Sequence, residues 1–185
     1  MSTKKSAIAN PLRGRVAWIF PDDFDVDLII GVENIKYNDP AYLKKLCMTS
    51  FEPDFAEKVR PGDIVVGGSN FGYGHPHYPA MIALRAVGIA AVVADSFSPG
   101  FWRGETYNGM PLVTVPGVSK TARRFDEVEV DWRTARIRFP GRNIELNGEP
   151  PSERTIAVLE AGGKYPLLLE QHRRRTATSG APARG

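Results

Sequence analysis

The sequence predicts an α/β domain built on a mixed sheet with flanking helices. Three observations carry that expectation. Two consecutive strand–helix–strand patterns fill residues 63–115, and apolar residues then alternate at period two from Phe125 to Leu146, the mark of a β-meander. A chain of 185 residues with 42% apolar and 24% charged side chains has ordinary globular composition and the length of one domain.

Taken in order, residues 1–14 are polar and contain Pro11 and Gly14, which predicts a flexible leader. RVAWIF reads as the first strand, stopped by Pro21. The acidic run Asp22, Asp23, Asp25 and Asp27 lacks the twelve-residue calcium-loop pattern and reads as an exposed turn ahead of the apolar LIIGV. Asp39-Pro40 places an N-cap carboxylate before a first-turn proline, and Tyr42, Leu43, Leu46 and Cys47 give the helix that follows an apolar face. PDFAEKV is a second short helix; Pro61-Gly62 turns the chain into the strand DIVVG.

The glycine-rich GGSNFGYGHPHYPA comes next, followed by a helix with Ala80, Ala83, Leu84 and Val87 on its inner face and, after Gly88, the strand in IAAVVADSF. That order predicts two parallel strands joined by a helical crossover. Ser98-Pro99 starts a helix carrying Trp102, Arg103 and Tyr107, Asn108-Gly109 ends it, and MPLVTV is the next strand. EVEVDW, ARIRF and RNIEL form the meander, Ser152 opens the helix TIAVLEAGG, and KYPLLLEQHRRR is a last helix. A single domain is therefore expected over residues 15–171. A basic, unstructured tail is expected over 172–185.

The net charge of +3 is misleading about partners. Four arginines and no acid fall between Arg173 and Gly185, which leaves the rest of the chain at net −1. No nucleic-acid partner is expected from a short basic tail rich in small residues. The lone Cys47 cannot form an intrachain disulfide or ligate an iron–sulfur cluster that asks for three or four thiolates. No apolar run reaches the 18 residues of a membrane span, and the N-terminus lacks the apolar middle of a secretory signal, so no membrane partner is expected and a cytoplasmic protein is.

The loop from Gly67 to Pro76 is longer than the two to six residues usual between a strand and a helix. Such length at the C-terminal end of a strand serves ligands, because helix N-terminal amides collect there. It contains neither G-x-G-x-x-G nor a P-loop, which sets aside dinucleotide and P-loop nucleotide binding. It does hold His75-Pro76-His77-Tyr78, two of the three histidines in the chain. These rings either accept protons or ligate a metal, or they only brace the loop. No nucleophile elbow is present, and Cys47 has no neighbouring histidine.

Five segments together resemble a known family. FPDDFDVDLIIG, CMTSFEPDFAEKVRPGDIVVGGSNFGYG, ALRAVGIAAVVADSF, NGMPLV and a helix ending in EAGG occur in the order found in the small subunit of isopropylmalate dehydratase, the separate swivel domain of the aconitase superfamily. The resemblance runs from about Gly14 to about Glu170. It implies a swivelling β/β/α domain, active with a large subunit that carries a 4Fe-4S cluster, in a heterodimer or heterotetramer. No cofactor is expected on this chain alone. The implied activity is that of a lyase: dehydration and hydration of a small hydroxy carboxylic acid.

The family loop reads Gly-Cys-Gly-Ser-Ser-Arg-Glu-His, where this chain has Gly72-Tyr73-Gly74-His75-Pro76-His77-Tyr78-Pro79. His75 thus takes the seat of the catalytic serine, and His77 that of the substrate-binding arginine. Asp27 matches the acid of a Thr-Asp pair whose threonine is Val26 here, and Pro99 replaces the arginine of Ser-Phe-Ala-Arg. Arg103 matches an arginine seven residues beyond Ser96, and Glu33 falls near another arginine position. These changes remove guanidinium forks that clamp carboxylates, each contact being worth roughly 1.5–3 kcal/mol.

The substrate is therefore expected to be less anionic than isopropylmalate, or differently shaped. His75 is expected as general base, because imidazole exchanges protons near neutral pH and a serine hydroxyl does not. His77 and Arg103 would orient the substrate, Asp27 would hold the loop or the substrate hydroxyl, and the amides from Gly72 to Gly74 would meet a carboxylate, with Tyr73 and Tyr78 as further contacts. Two alternatives stay open. One is a non-catalytic binding or regulatory subunit; the other is a metal-dependent enzyme with His75 and His77 joined by Asp27 or Asp25.

Overall fold

In the computed structural model, residues 8–179 are described. Along the chain they form β1 (Leu12–Ile19), α1 (Pro40–Leu46), α2 (Phe55–Lys58), β2 (Ile64–Gly67), α3 (Tyr78–Val87), β3 (Ala91–Ala94), α4 (Pro99–Tyr107), β4 (Leu112–Thr114), α5 (Val118–Thr121), β5 (Glu127–Asp131), β6 (Arg136–Phe139), β7 (Ile144–Asn147), α6 (Glu153–Glu160) and α7 (Lys164–Ser179). The strands make one mixed sheet in the order β4-β3-β2-β1-β5-β6-β7. β1 is its seam, parallel to β2 on one side and antiparallel to β5 on the other. The parallel half is the expected pair of crossover units, and the antiparallel half is the expected meander.

All four residues of both β2 and β3 are buried. Successive strand side chains point to opposite faces, so such strands require cover on both sides. Val65, Val92 and Ala94 join Phe20, Phe71, Met81 and Leu84 on the face covered by α1 and α3, while Ile64, Val66 and Val93 join Trp132, Ile137 and Phe139 on the other. A wholly buried sheet centre leaves the strand ends as the place for polar chemistry.

The strand and helix assignments hold, with corrections at both ends. β1 starts at Leu12, inside the leader expected over 1–14: Leu12 pairs with Val130, and the Asn10 side chain accepts the Trp132 amide and donates to Asp131. Gly14 is not a loop glycine, since a Cβ there would sit 2.2 Å from the Gly62 carbonyl oxygen at the β1–β2 contact. At the other end, α7 continues through Arg173–Arg175 into the tail expected to be unstructured from 172, because arginine is a good helix former and Glu170 pairs with Arg174 one turn on. The rest of the leader and tail expectations lies outside the described residues. The short α5 was not anticipated.

Asp39 caps α1 by accepting the Ala41 amide, as its sequence suggested. Cys47 follows that helix and is 1% exposed, and burial pushes its thiol up to about 12. The folded chain is therefore expected to resist iodoacetamide at pH 8 and to take up one equivalent in guanidinium chloride. Mass spectrometry of the two reactions checks this; rapid labelling of the native chain would contradict the packing described.

Candidate functional site

Three segments meet beyond the C-terminal ends of β1, β2 and β3: residues 22–34, the loop 68–77, and residues 95–98. The acidic run is the expected exposed turn at Asp22 and Asp23, but Asp25 is half-buried and Asp27 is buried. Asp22 accepts the Ser69 amide at 2.6 Å, Asp23 accepts the Asn70 side-chain amide at 2.7 Å, and Asp25 caps the 3-10 turn Val26–Ile29 through the Asp27 amide. On the other flank the Asn70 amide donates to Ser96 Oγ at 2.8 Å and the Phe71 amide to the Ser96 carbonyl at 3.0 Å. Phe71 is fully buried against Phe20, Phe24, Phe97 and Phe101, with ring centroids 5.4–6.2 Å away. The loop is thus anchored at its base. Its tip, Tyr73 to His75, is exposed.

Pro79, early in α3, sets the helix start just after His77, which occupies the N-cap position without capping through its side chain. The ring is instead held from the side. His77 Nδ1 lies 2.7 Å from Asp27 Oδ2, and the His77 backbone amide donates to the other Asp27 oxygen at 2.8 Å. Asp27 is 5% exposed, and both of its oxygens are spent on the same residue, so the carboxylate accepts Nδ1–H and leaves Nε2 as the nitrogen that meets a ligand. His75 stands beside it, with ring centroids 5.6 Å apart. Among the described residues no carboxylate pairs with His75. The two histidines thus have different equipment, and the orienting acid belongs to His77, not to His75.

Both rings line a cleft of about 260 Å³ whose far wall is the first turns of α4, including Ser98, Phe101 and Glu105. Gly74 lines it too, but the expectation for Gly72 is corrected: its amide already donates to the Phe24 carbonyl at 3.1 Å, so it fixes the loop and meets no ligand. Tyr73, Tyr78 and Arg103 are exposed and do not line the cleft. The metal reading loses its carboxylate donor. Asp27 is committed to His77, and among the described residues no three His, Cys, Asp or Glu side chains come together as a metal site.

Ser98 and Glu105 were not anticipated. Glu105 carried a signal, an acid four residues after Phe101 on the buried face of its helix. A larger cleft of about 680 Å³ opens between Phe97, Trp102 and Pro150-Pro151. It contains no histidine, and its Asp95 carboxylate is taken by the Ser119 amide and hydroxyl. Its other acid is the exposed Glu149; the imidazole cleft is the one that brings two histidines together, one of them held by a buried carboxylate. Among the described residues no helix is long and apolar enough to cross a membrane.

The Aconitase C-terminal domain family matches residues 29–116, which contain Asp27's partner loop and all of the cleft wall. A 3-isopropylmalate dehydratase small subunit of Methanopyrus kandleri is 41% identical over 160 residues, 86% of this chain and 94% of that protein. The isopropylmalate/citramalate isomerase small subunit of Methanocaldococcus jannaschii is 38% identical over 86% of this chain and 95% of its own length. A crystal structure of 3-isopropylmalate dehydratase from the same organism superposes with a TM-score of 0.81 at 30% identity, over 90% of this chain and 98% of that one. With that identity sustained over nearly the whole length of both chains, this chain belongs to the family of 3-isopropylmalate dehydratase small subunits.

Proposed function

We propose that the chain is the small subunit of a hydro-lyase that removes and adds water on a hydroxy carboxylic acid, working with a large subunit that holds a 4Fe-4S cluster. Membership of the family supports the reaction class, and the Asp27–His77 pair supports a working proton-transfer group in this member. The chain's own donors do not fit the cluster, since its single thiol is Cys47, sealed in the core. Everything this chain contributes is therefore acid–base and positional.

Removal of water needs a base for the proton on the carbon α to a carboxylate, while hydroxide leaves from the neighbouring carbon and takes up a proton to depart as water. Asp27 fixes the imidazole plane, and His77 Nε2 takes the proton, an arrangement in which the acid sets the tautomer and the ring does the transfer. His75 is the second imidazole on the same wall, suited to the substrate hydroxyl. The exposed loop around Tyr73 and Gly74 offers backbone amides to a carboxylate. Arg103, Tyr73 and Tyr78 are left to the side that a large subunit would close. No lysine or arginine lines the cleft, which supports a substrate less anionic than isopropylmalate.

The single observation that carries the reading is the 2.7 Å contact between His77 and Asp27. Co-expression with the large subunit, anaerobic reconstitution and an absorbance assay on a panel of 2-hydroxy acids test it. The expected result is a co-eluting complex that dehydrates at least one of them. A stable complex that turns over none would favour the non-catalytic binding role instead.

A further inference from the structure

Residues 20–23 and 66–70 run side by side at the ends of β1 and β2 before they part. The Phe20 amide donates to the Val66 carbonyl at 2.8 Å, the Gly68 amide to the Phe20 carbonyl at 3.0 Å, and the Asp23 amide to the Ser69 carbonyl at 2.8 Å. Beyond this point one segment carries Asp27 and the other carries His77, and the two meet again at the 2.7 Å contact between those residues. Side chains close the base of the fork. The Asn70 side-chain amide donates to Asp23 Oδ1 at 2.7 Å, a charge-assisted bond, and the Asn70 backbone amide donates to Ser96 Oγ at 2.8 Å on the opposite flank.

Both partners of the side-chain bond are strained. Asp23 sits at φ +51° and Asn70 at φ +54°, left-handed conformations that are costly for a residue with a Cβ, although Asn and Asp bear them better than most. The same loop uses glycine where a Cβ would collide, with Asp22 at Gly68 and with the Phe101 ring at Gly72. Glycine at position 70 would remove the strain too. What asparagine adds there is a side chain, and that side chain is spent on Asp23. Outliers of this kind gather at functional sites, where the surrounding structure over-determines them.

Neither residue lines the imidazole cleft, so neither reaches the reacting atoms. Asp23 is exposed and Asn70 half-buried, so water can satisfy both groups when their bond is broken, and little stability is at stake. Register is at stake instead. Among the described residues one other hydrogen bond crosses the fork between this clip and Asp27, from the Gly72 amide to the Phe24 carbonyl at 3.1 Å.

We propose that Asp23 and Asn70 are positioning residues of the reaction: their bond sets the fork so that the Asp27 carboxylate holds the His77 ring in one tautomer, with Nε2 left for proton transfer. The kinetic part of this inference rests on the hydro-lyase reading above; the structural part needs only the full chain.

Nitrogen-15 NMR of the imidazoles in the full chain, at mildly alkaline pH, reads the tautomer directly. Wild-type His77 is expected to show one tautomer, protonated at Nδ1. Asn70→Gly and Asp23→Gly keep the left-handed backbone without the side chain; each is expected to give a mixture of His77 tautomers while Tm stays within a few degrees of wild type. The exchange variant, Asp23→Asn with Asn70→Asp, keeps one donor and one acceptor and is expected to restore the single tautomer. In the reconstituted two-subunit enzyme each glycine variant is expected to lower kcat about tenfold with KM within about threefold, and the exchange to recover most of that loss. In an Asp27→Asn background Asn70→Gly is expected to cost no more than about twofold, because the pair it acts through is already gone. A mixed tautomer in wild type, an unchanged one in the folded glycine variants, or an exchange variant no better than the single variants overturns the proposal. Should one glycine variant fail to fold, the other decides. If the wild-type complex turns over no hydroxy acid, the hydro-lyase reading is the one in difficulty, and the NMR comparison still decides the positioning role.

Discussion

His77→Gln in the reconstituted enzyme is expected to lower kcat by about 10²–10⁴-fold, the usual contribution of a positioned general base, with KM held within a few-fold. The asymmetry between the two imidazoles is the reason. His77 Nδ1 is bound at 2.7 Å by a carboxylate that is itself buried, so the ring has one orientation and one nitrogen for chemistry. His75 has a ring contact to His77 and no acid, so His75→Ala is expected to cost less than tenfold. Asp27→Asn is the informative companion. Asparagine keeps the shape but presents an amide, which can donate to Nδ1 and turn the donor nitrogen toward the substrate; kcat is expected to fall nearly as far as in His77→Gln. Steady-state kinetics of the three variants check the order, and a His75 variant worse than the His77 variant would reverse the assignment. Loss of stability does not mimic this result: removing the ring from a buried carboxylate costs about 1–3 kcal/mol, which lowers Tm but does not separate kcat from KM.

The fold was largely legible in the sequence, and the candidate site only in part. Strands β2 and β3 announced themselves as short continuous apolar runs bounded by Pro61-Gly62 and Gly88, because a strand buried on both faces cannot alternate. The meander was legible for the opposite reason, alternation over one covered face. The loop was legible by its length and its histidines. What could not be read was which acid reaches which ring, since Asp27 and His77 are 50 residues apart and meet only because β1 and β2 are adjacent and parallel. The same limit hid Glu105, whose place at the cleft depends on how α4 is docked. It also hid Gly72, whose neighbour in space is a ring 29 positions further on. Gly14 misled because its local meaning, a break, was overridden by pairing with Val128 of β5.

Gly72→Ala is expected to destabilise the protein by about 2–5 kcal/mol and to disable the site along with the fold. Two costs add. The residue sits at φ +81°, where an L side chain loses about 1–2 kcal/mol, and a Cβ there would fall 2.3 Å from Cγ of the Phe101 ring. Phe101 is 4% exposed and packs its ring 5.6 Å from that of Phe71, so it has no free space to retreat into, and overpacking of this kind costs about 1–3 kcal/mol more. For a chain of this length each kcal/mol lowers Tm by roughly 2–4 °C, so a fall on the order of 5–15 °C is expected by thermal melting. The functional consequence follows from the same contact. The Gly72 amide holds the loop to the Phe24 carbonyl, and Phe101 is the wall of the cleft; relieving the clash therefore moves the histidines away from α4. Even well below its melting temperature, Gly72→Ala is accordingly expected to lose kcat/KM by more than tenfold, whereas Gly74→Ala, also at positive φ but with nothing within 4 Å of its Cβ, bears only the backbone cost and keeps its Tm within a few degrees of wild type. Equal Tm losses in the two variants would mean that the Phe101 contact does not fix the loop.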